Sequence, residues 1–200
     1  MPTVVQTREV REALLDATDR LLSSRGYKKM TIDDLAREVG IGKGSVYLHF
    51  SSKEEIALSH VDRIVERVKD RLKIIAEKDI SQKEKLREMI LVRVLFRFDS
   101  VQHYTQSLND LLSSLRPKLL ARRENYFAEE AAIFAEVIER GQANGEFASG
   151  DVIEIAETFL LATNSLLPFS LTTEELGARE DIEEKTARLA DLLIKGILNN

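Results

Sequence analysis

The stretch VGIGKGSVYLHF, residues 39–50, gathers the groups that most readily handle phosphate: glycines at 40, 42 and 44, with Lys43 and Ser45 among them. Backbone N–H groups without side chains around them can wrap an oxyanion, a lysine can neutralise it, and a hydroxyl can reach an oxygen or a metal ion. A P-loop spaces one glycine, four residues, then Gly-Lys-Ser/Thr. Here Gly42-Lys43 is followed by Gly44, and Arg37 stands five positions before Gly42. The dinucleotide fingerprint would need a glycine where Ser45 stands, and a strand in front of it. TIDDLAREV instead spaces Ile32, Leu35, Ala36 and Val39 as a helix does. Neither nucleotide-binding loop fits.

Other reactive types are present without the spacing that would use them. No two of His49, His60 and His103 lie four apart and there is no cysteine, so no transition-metal site is expected. No strand-turn-helix elbow surrounds a serine. Glu129-Glu130 and Glu183-Glu184 read as solvated helix faces, not as paired catalytic carboxylates. No catalytic residue, metal or cofactor is therefore expected, and the chain is not read as an enzyme.

Stepping outward from the motif, 200 residues suffice for one or two domains with a substantial core. No apolar run approaches the ~18 residues that span a bilayer, and MPTVVQTREVRE lacks a signal peptide's apolar stretch. Without cysteine there is no disulfide framework, so the expectation is a cytoplasmic protein with no membrane partner. The net charge of −5 hides an asymmetry. Residues 1–53 hold nine Lys/Arg against seven Asp/Glu, and residues 54–200 hold twenty against twenty-seven. A slightly basic head, 1–53, precedes an acidic body, 54–200.

Three prolines and nine glycines punctuate a chain with no sustained β-branched alternation, so the fold class is all-α. Val10, Ala13, Leu14, Ala17, Leu21 and Leu22 form one apolar stripe that ends at Gly26. Thr31 caps a short helix with Asp33 and Asp34 in its first turn, and Gly40 closes it. A second short helix runs from Lys43 to Phe50, and Ser52 opens a long one through Lys78. In the body, helices are expected at about 81–98, 103–115, 117–141, 151–167 and 183–198, with Pro117 starting one and Pro168 ending another. The 81–98 helix is apolar nearly all round and should be central.

Two short helices joined by a glycine turn make a helix-turn-helix, whose second helix can enter the DNA major groove. Gly40 then supplies the positive φ that ends the first helix. Gly42 begins the second helix, and Gly44 lets backbone N–H groups approach a phosphate of the duplex. Lys43 offers a cation to phosphate or guanine, Ser45 a hydroxyl to a base edge, and Tyr47 a phenol to phosphate. Ile41, Val46 and Phe50 should pack inward on Leu35, Ala36 and Val39. Thr31 and Lys53 can hold further phosphates.

Arg8, Ala13, Ala17, Gly26-Tyr27, Thr31, Leu35-Ala36, Gly40-Ile41, Lys43-Gly44-Ser45, Val46-Tyr47, His49-Phe50 and Ser52-Lys53-Glu54 together resemble the DNA-binding signature of the TetR (tetracycline repressor-like) family. The resemblance covers about residues 7–58, and 138–151 is similar to a turn of that family's C-terminal domain. It implies DNA contacts at Thr31, Gly42, Lys43, Gly44, Ser45, Tyr47, His49 and Lys53. Gly42 replaces a small hydroxyl or alanine, and Leu48 stands where a second aromatic often sits. The resemblance further implies a C-terminal helical ligand-binding and dimerisation domain and a small-molecule effector.

The body's aromatic residues suit such an effector, because a mainly apolar cavity with a few polar groups is what a small-molecule site requires. Phe96, Tyr104, Leu111, Tyr126, Phe127, Phe159 and Asn164 are the lining candidates, with Thr163 and Arg93 as other polar residues in apolar surroundings. ETFLLATNSLLPF and ARLADLLIKGIL carry apolar faces that one chain would struggle to cover, which predicts a homodimer on a two-fold DNA operator. The reading is a sequence-specific transcriptional repressor released by a small, largely apolar ligand. The alternative is an architectural or division-linked DNA-binding protein of the same fold without a ligand.

Overall fold

The computed structural model describes residues 4–104, 107–168 and 177–199. They form helices α1 (Val4–Lys29), α2 (Ile32–Val39), α3 (Lys43–Tyr47), α4 (Lys53–Ala76), α5 (Gln82–Val101), α6 (Ser107–Ala143), α7 (Val152–Thr163) and α8 (Arg179–Lys195). Short 3-10 turns stand at Gln102–Tyr104 and Asn164–Leu166. The only β pairing among the described residues is an isolated bridge between Phe147 and Leu198. None of their helices is long and apolar enough to cross a membrane.

The local chemistry of each boundary is visible. Gly26 takes φ 75°, ψ 165° and interrupts α1, where the sequence predicts its end. Thr31 and Asp34 form a reciprocal capping box on α2, satisfying two of the N–H groups a helix start leaves unpaired. Gly40 closes α2 in the left-handed region at φ 74°. Ser52 Oγ accepts from the Glu55 amide at 3.1 Å. Ser81 and Glu84 form a second capping box on α5, and Asp151 caps α7 through the amides of Ile153 and Glu154.

Two elements differ from expectation. α6 is one helix with Pro117 inside it, where the proline predicts a junction between two. An interior proline removes one backbone hydrogen bond and crowds the carbonyl four residues back, at a cost of about 3 kcal/mol or more. Ser113 and Pro117 are both exposed, so water can take up the carbonyl that is released. α8 starts at Arg179, four positions earlier than the apolar pattern alone suggests, with Glu180 and Asp181 in the first turn where the helix dipole favours acids. The irregular 167–181 stretch falls largely on residues 169–176, outside the described residues.

The chain divides into two compact units, residues 1–64 with 103–120, and residues 65–102 with 121–200. A single cut after residue 53 does not describe that division: α4 stays with the head through Ile64, and 103–120 returns to it. Ile56, Ala57 and Leu58 are buried on α4, which is why the helix cannot be separated from the head after its first residue. Leu14, Leu22, Met30, Leu35, Val46 and Phe50 fill the first unit's core. Val46, Phe50, Leu35 and Ala36 are the inward residues that the helix-turn-helix reading requires.

The second unit's core gathers Val68, Leu72, Met89, Ile90, Phe134, Phe147, Phe159 and Leu160. α5 supplies Met89, Ile90, Val94 and Phe98 to its interior, as expected for a central helix. One turn at 141–150 ties distant pieces of this unit together. The Glu146 carboxylate accepts from the Gln82 and Lys83 amides at 2.9 Å, at the start of α5. The Ala148 amide donates to Ile197 O at 2.8 Å. Phe147 lies against Gly141 so closely that a Cβ on Gly141 would sit 2.1 Å from the ring.

Candidate functional site

In the first unit, the residues expected to meet DNA stand at the cap of α2 (Thr31), on α3 and its flanking turns (Gly42 to His49) and at the start of α4 (Lys53). The Thr31 hydroxyl accepts from the Asp34 amide at 3.1 Å and donates to Asp34 Oδ2 at 2.7 Å. That bond, together with Arg25, holds the Asp34 carboxyl below the usual carboxylate range. Thr31 is exposed, so the capping geometry leaves it at the surface. Gly42 is the N-cap of α3 at φ −74°, ψ 149°. A Cβ on either Gly42 or Gly44 would meet nothing within 4 Å, and neither residue has a positive φ. Within the chain, nothing crowds a side chain out of these two positions.

Lys43 Nζ donates to Asp33 Oδ2 at 2.8 Å with both side chains about half exposed. This bond to Asp33 holds the Lys43 ammonium above the ordinary lysine range. Exposed pairs of this kind are weak. Ser45 is half-buried and Tyr47 exposed on α3. His49 is half-buried. Lys53 is also partly covered: its ammonium donates to Tyr27 O at 3.0 Å and stands 4.5 Å from the centre of the Tyr27 ring. Leu48, outside the candidate set, is 81% exposed beside Tyr47.

The seven ligand-lining candidates do not fall in one place. Tyr104 and Leu111 belong to the first unit. The Tyr104 hydroxyl donates to Asp19 Oδ1 at 2.5 Å and accepts a hydrogen bond from His60 Nε2 at 2.5 Å. Burial, then the bond to Asp19, push the Tyr104 phenol well above its ordinary range. His60 Nδ1 faces Arg63 Nη2 at 3.4 Å.

The other five lie in the second unit. Phe159 is in the core, and Phe96 and Phe127 pack against that core from partly buried positions. The Arg71 guanidinium stands 4.5 Å over the Phe96 ring. Tyr126 is half-buried. Asn164 is buried, and its Oδ1 accepts from Arg93 Nη2 at 2.9 Å.

Arg93 also donates from Nε to Glu130 Oε2 at 2.7 Å and from Nη1 to the Thr163 hydroxyl at 2.7 Å. Arg97 Nη2 donates to the other Glu130 oxygen. Glu130 is therefore not on a solvated helix face as its sequence neighbourhood suggests. It is 2% exposed, turned inward between two guanidiniums, while the adjacent, exposed Glu129 pairs with the buried Lys69. Burial opposes the charge on Glu130, but Arg97 and Arg93 outweigh it and hold its carboxyl below the usual range. Burial draws Arg93 down to about 10. The sequence signal for this cluster was the i, i+4 pair Arg93 and Arg97 in an otherwise apolar helix.

The family model for bacterial regulatory proteins of the tetR family matches residues 14–59, the segment holding α2, α3 and the start of α4. Over that segment the chain is similar to the tetR family. It is 30% identical over 94 residues to the HTH-type transcriptional regulator PksA of Bacillus subtilis, covering 47% of this chain and 46% of that one. The chain spans less than half the length of several curated relatives it matches. Its fold is that of a transcriptional regulator from Cytophaga hutchinsonii, with a TM-score of 0.78 and 22% identity over 94% of this chain and 98% of that one. The transcriptional regulator FadR from Bacillus subtilis, solved in complex with stearoyl-CoA, aligns with a TM-score of 0.68 and 18% identity over 93% of this chain and 98% of that one.

Proposed function

We propose that the chain is a homodimeric transcriptional repressor that binds a two-fold DNA operator and is released by a small, largely apolar ligand. The observation carrying the DNA-binding part is Gly44. It sits inside a helix, where glycine is unfavourable by roughly 0.5–1 kcal/mol relative to alanine, with open space around its Cα. A residue that costs stability and fills no internal need is understandable if a phosphate backbone approaches it. Lys43, Ser45 and Tyr47 surround that position with a cation, a short hydroxyl and a phenol, and Thr31, Gly42, His49 and Lys53 complete the contact set.

The dimer reading rests on α7 and α8. Leu161 is 60% and Leu192 69% exposed, whereas Leu160 on the same helix as Leu161 is fully buried in the chain's own core. Leu189 and Leu193 are half-buried. The free apolar face is therefore Leu161, Leu192 and their neighbours, without Leu160. Leu192→Glu should give monomers by sedimentation with the chain's fold intact. An undisturbed dimer would mean that another face is used.

The effector reading rests on the second unit's aromatic core and its buried polar cluster, and on FadR having been solved with stearoyl-CoA. A ligand that prefers a conformation in which the dimer's two heads miss the half-site spacing must weaken DNA binding, and DNA must weaken the ligand by the same factor. Typical couplings are about 1–3 kcal/mol, or roughly 5–150-fold. Selection of bound duplexes from random DNA, then titration of that duplex against apolar compounds, tests both parts. A recovered palindromic site whose binding falls with ligand is expected. Absence of any preferred site would overturn the repressor reading, and a preferred site insensitive to every compound would favour an architectural role.

A further inference from the structure

Arg93, Arg97, Glu130 and Asn164 are each more than nine-tenths buried, and their charges and hydrogen bonds do not balance. Two guanidiniums share one carboxylate, each taking a different oxygen of Glu130. The next carboxylate along α6, Glu129, is taken by Lys69. Thr163 cannot help, because its hydroxyl accepts from Arg93 and passes its own proton to Phe159 O at 2.9 Å. Asn164 has its orientation fixed by the same logic. Its Oδ1 must face Arg93, a pure donor, and this leaves its buried Nδ2 without a partner among the described residues.

Among the described residues the cluster thus holds one surplus positive charge and one surplus N–H donor side by side. Buried groups of both kinds are costly when unmatched, and apolar replacement of a buried ion-pair triad is often neutral or stabilising. Stability alone is a weak reason for keeping it. A single anionic acceptor relieves both surpluses. The surrounding core supplies apolar surface: Phe159 and Leu160 precede Thr163 on α7, and Phe127 lies on α6 one turn before Glu130.

We propose that this cluster receives the carboxylate of an otherwise apolar organic acid, with Asn164 Nδ2 and the guanidiniums of Arg93 and Arg97 as its donors. The proposal rests on the effector reading above and names the head group of that effector. The neutral alcohol or ester of the same skeleton lacks the charge and is the discriminating control.

The experiment is calorimetric titration of the full-length chain with decanoate, hexadecanoate and 4-phenylbutanoate below their micellar concentrations, each beside its alcohol and its methyl ester. Charge-assisted hydrogen bonds to a buried site should make at least one acid bind about tenfold to a hundredfold more tightly than its neutral partners. Asn164→Asp places a carboxylate of the chain's own against Arg93 and should erase that preference, while Asn164→Leu should reduce it by removing the donor. Asn164→Asp keeps the bond to Arg93, so it serves as the test even if the leucine variant does not fold. Equal binding of acid, ester and alcohol, or a preference unchanged in Asn164→Asp, overturns the head-group assignment and leaves the effector reading standing. Failure of the whole panel to bind, with DNA affinity unaffected, overturns both.

Discussion

In the first unit Lys43, Tyr47 and Leu48 are exposed and Gly44 faces open space, whereas in the second Arg93, Arg97, Glu130 and Asn164 are almost wholly buried. The polar groups of the head have water as their default partner, and each local bond, such as Lys43 to Asp33, is weak enough to exchange for a phosphate. The polar groups of the body have no such reserve. Whatever they bind must match them in charge and hydrogen bonding, because the alternative is an unpaired group in a dry interior. Surface chemistry suits rapid, salt-sensitive recognition of a long polyanion. Buried chemistry suits discrimination between small molecules that differ by one functional group.

The largest effect separating the two units should come from Glu130→Ala. It leaves two buried guanidiniums without their shared carboxylate and should lower unfolding free energy by about 3–5 kcal/mol, read from denaturant melts. A loss no larger than that of an exposed pair would mean the cluster is hydrated. The same carboxylate sets a pH dependence. Its folded value lies below the ordinary 4.5, so its stabilisation is present above that pH and is lost as pH falls through the folded value. The acid limb of the stability curve should therefore flatten in Glu130→Ala.

On the head, Ser45→Ala should change preference at one base pair by about 1–3 kcal/mol, whereas Tyr47→Phe should weaken all duplexes alike, since phosphate contacts carry no sequence information. Equal losses across every duplex for Ser45→Ala would take it out of base readout. Gly44→Ala should move stability and affinity in opposite directions. Thermal melts should show a gain of roughly 0.5–1 kcal/mol, and gel shifts a loss of DNA binding. A gain in both would leave the glycine unexplained by DNA. The smallest effect is Asp33→Asn, which frees Lys43 and removes a negative charge next to the phosphate. DNA binding should tighten by at most about fivefold, corresponding to about 1 kcal/mol or less.

The head was legible because its signals are local. Thr31 and Asp34 are three apart, Gly40 closes the helix they start, and Lys43 to Tyr47 follow within one short helix. Each inference needed only a few consecutive residues. The body's helices were legible for the same reason, apart from the early start of α8 and the proline in α6, whose tolerance depends on water reaching Ser113. Its polar cluster was not, because it joins residues 37 and 71 positions apart. Glu130 reads as solvated beside Glu129 until α5 supplies the guanidiniums it faces. Tyr104 reads as an aromatic lining residue until Asp19 and His60 claim its hydroxyl.

Gly141 has a consequence for which substitutions the chain can tolerate. The Phe147 ring fills the volume that any β-carbon there would need, and the turn it anchors is tied to the start of α5 and to the C-terminal end of the chain. In a saturation library sorted only for folded chains, position 141 should therefore retain glycine almost alone, while position 44 accepts many residues. Sorting the same library for repression should close position 44 as well and leave 141 unchanged. A glycine demanded by the chain's own packing is thereby told apart from one demanded by something the chain must touch.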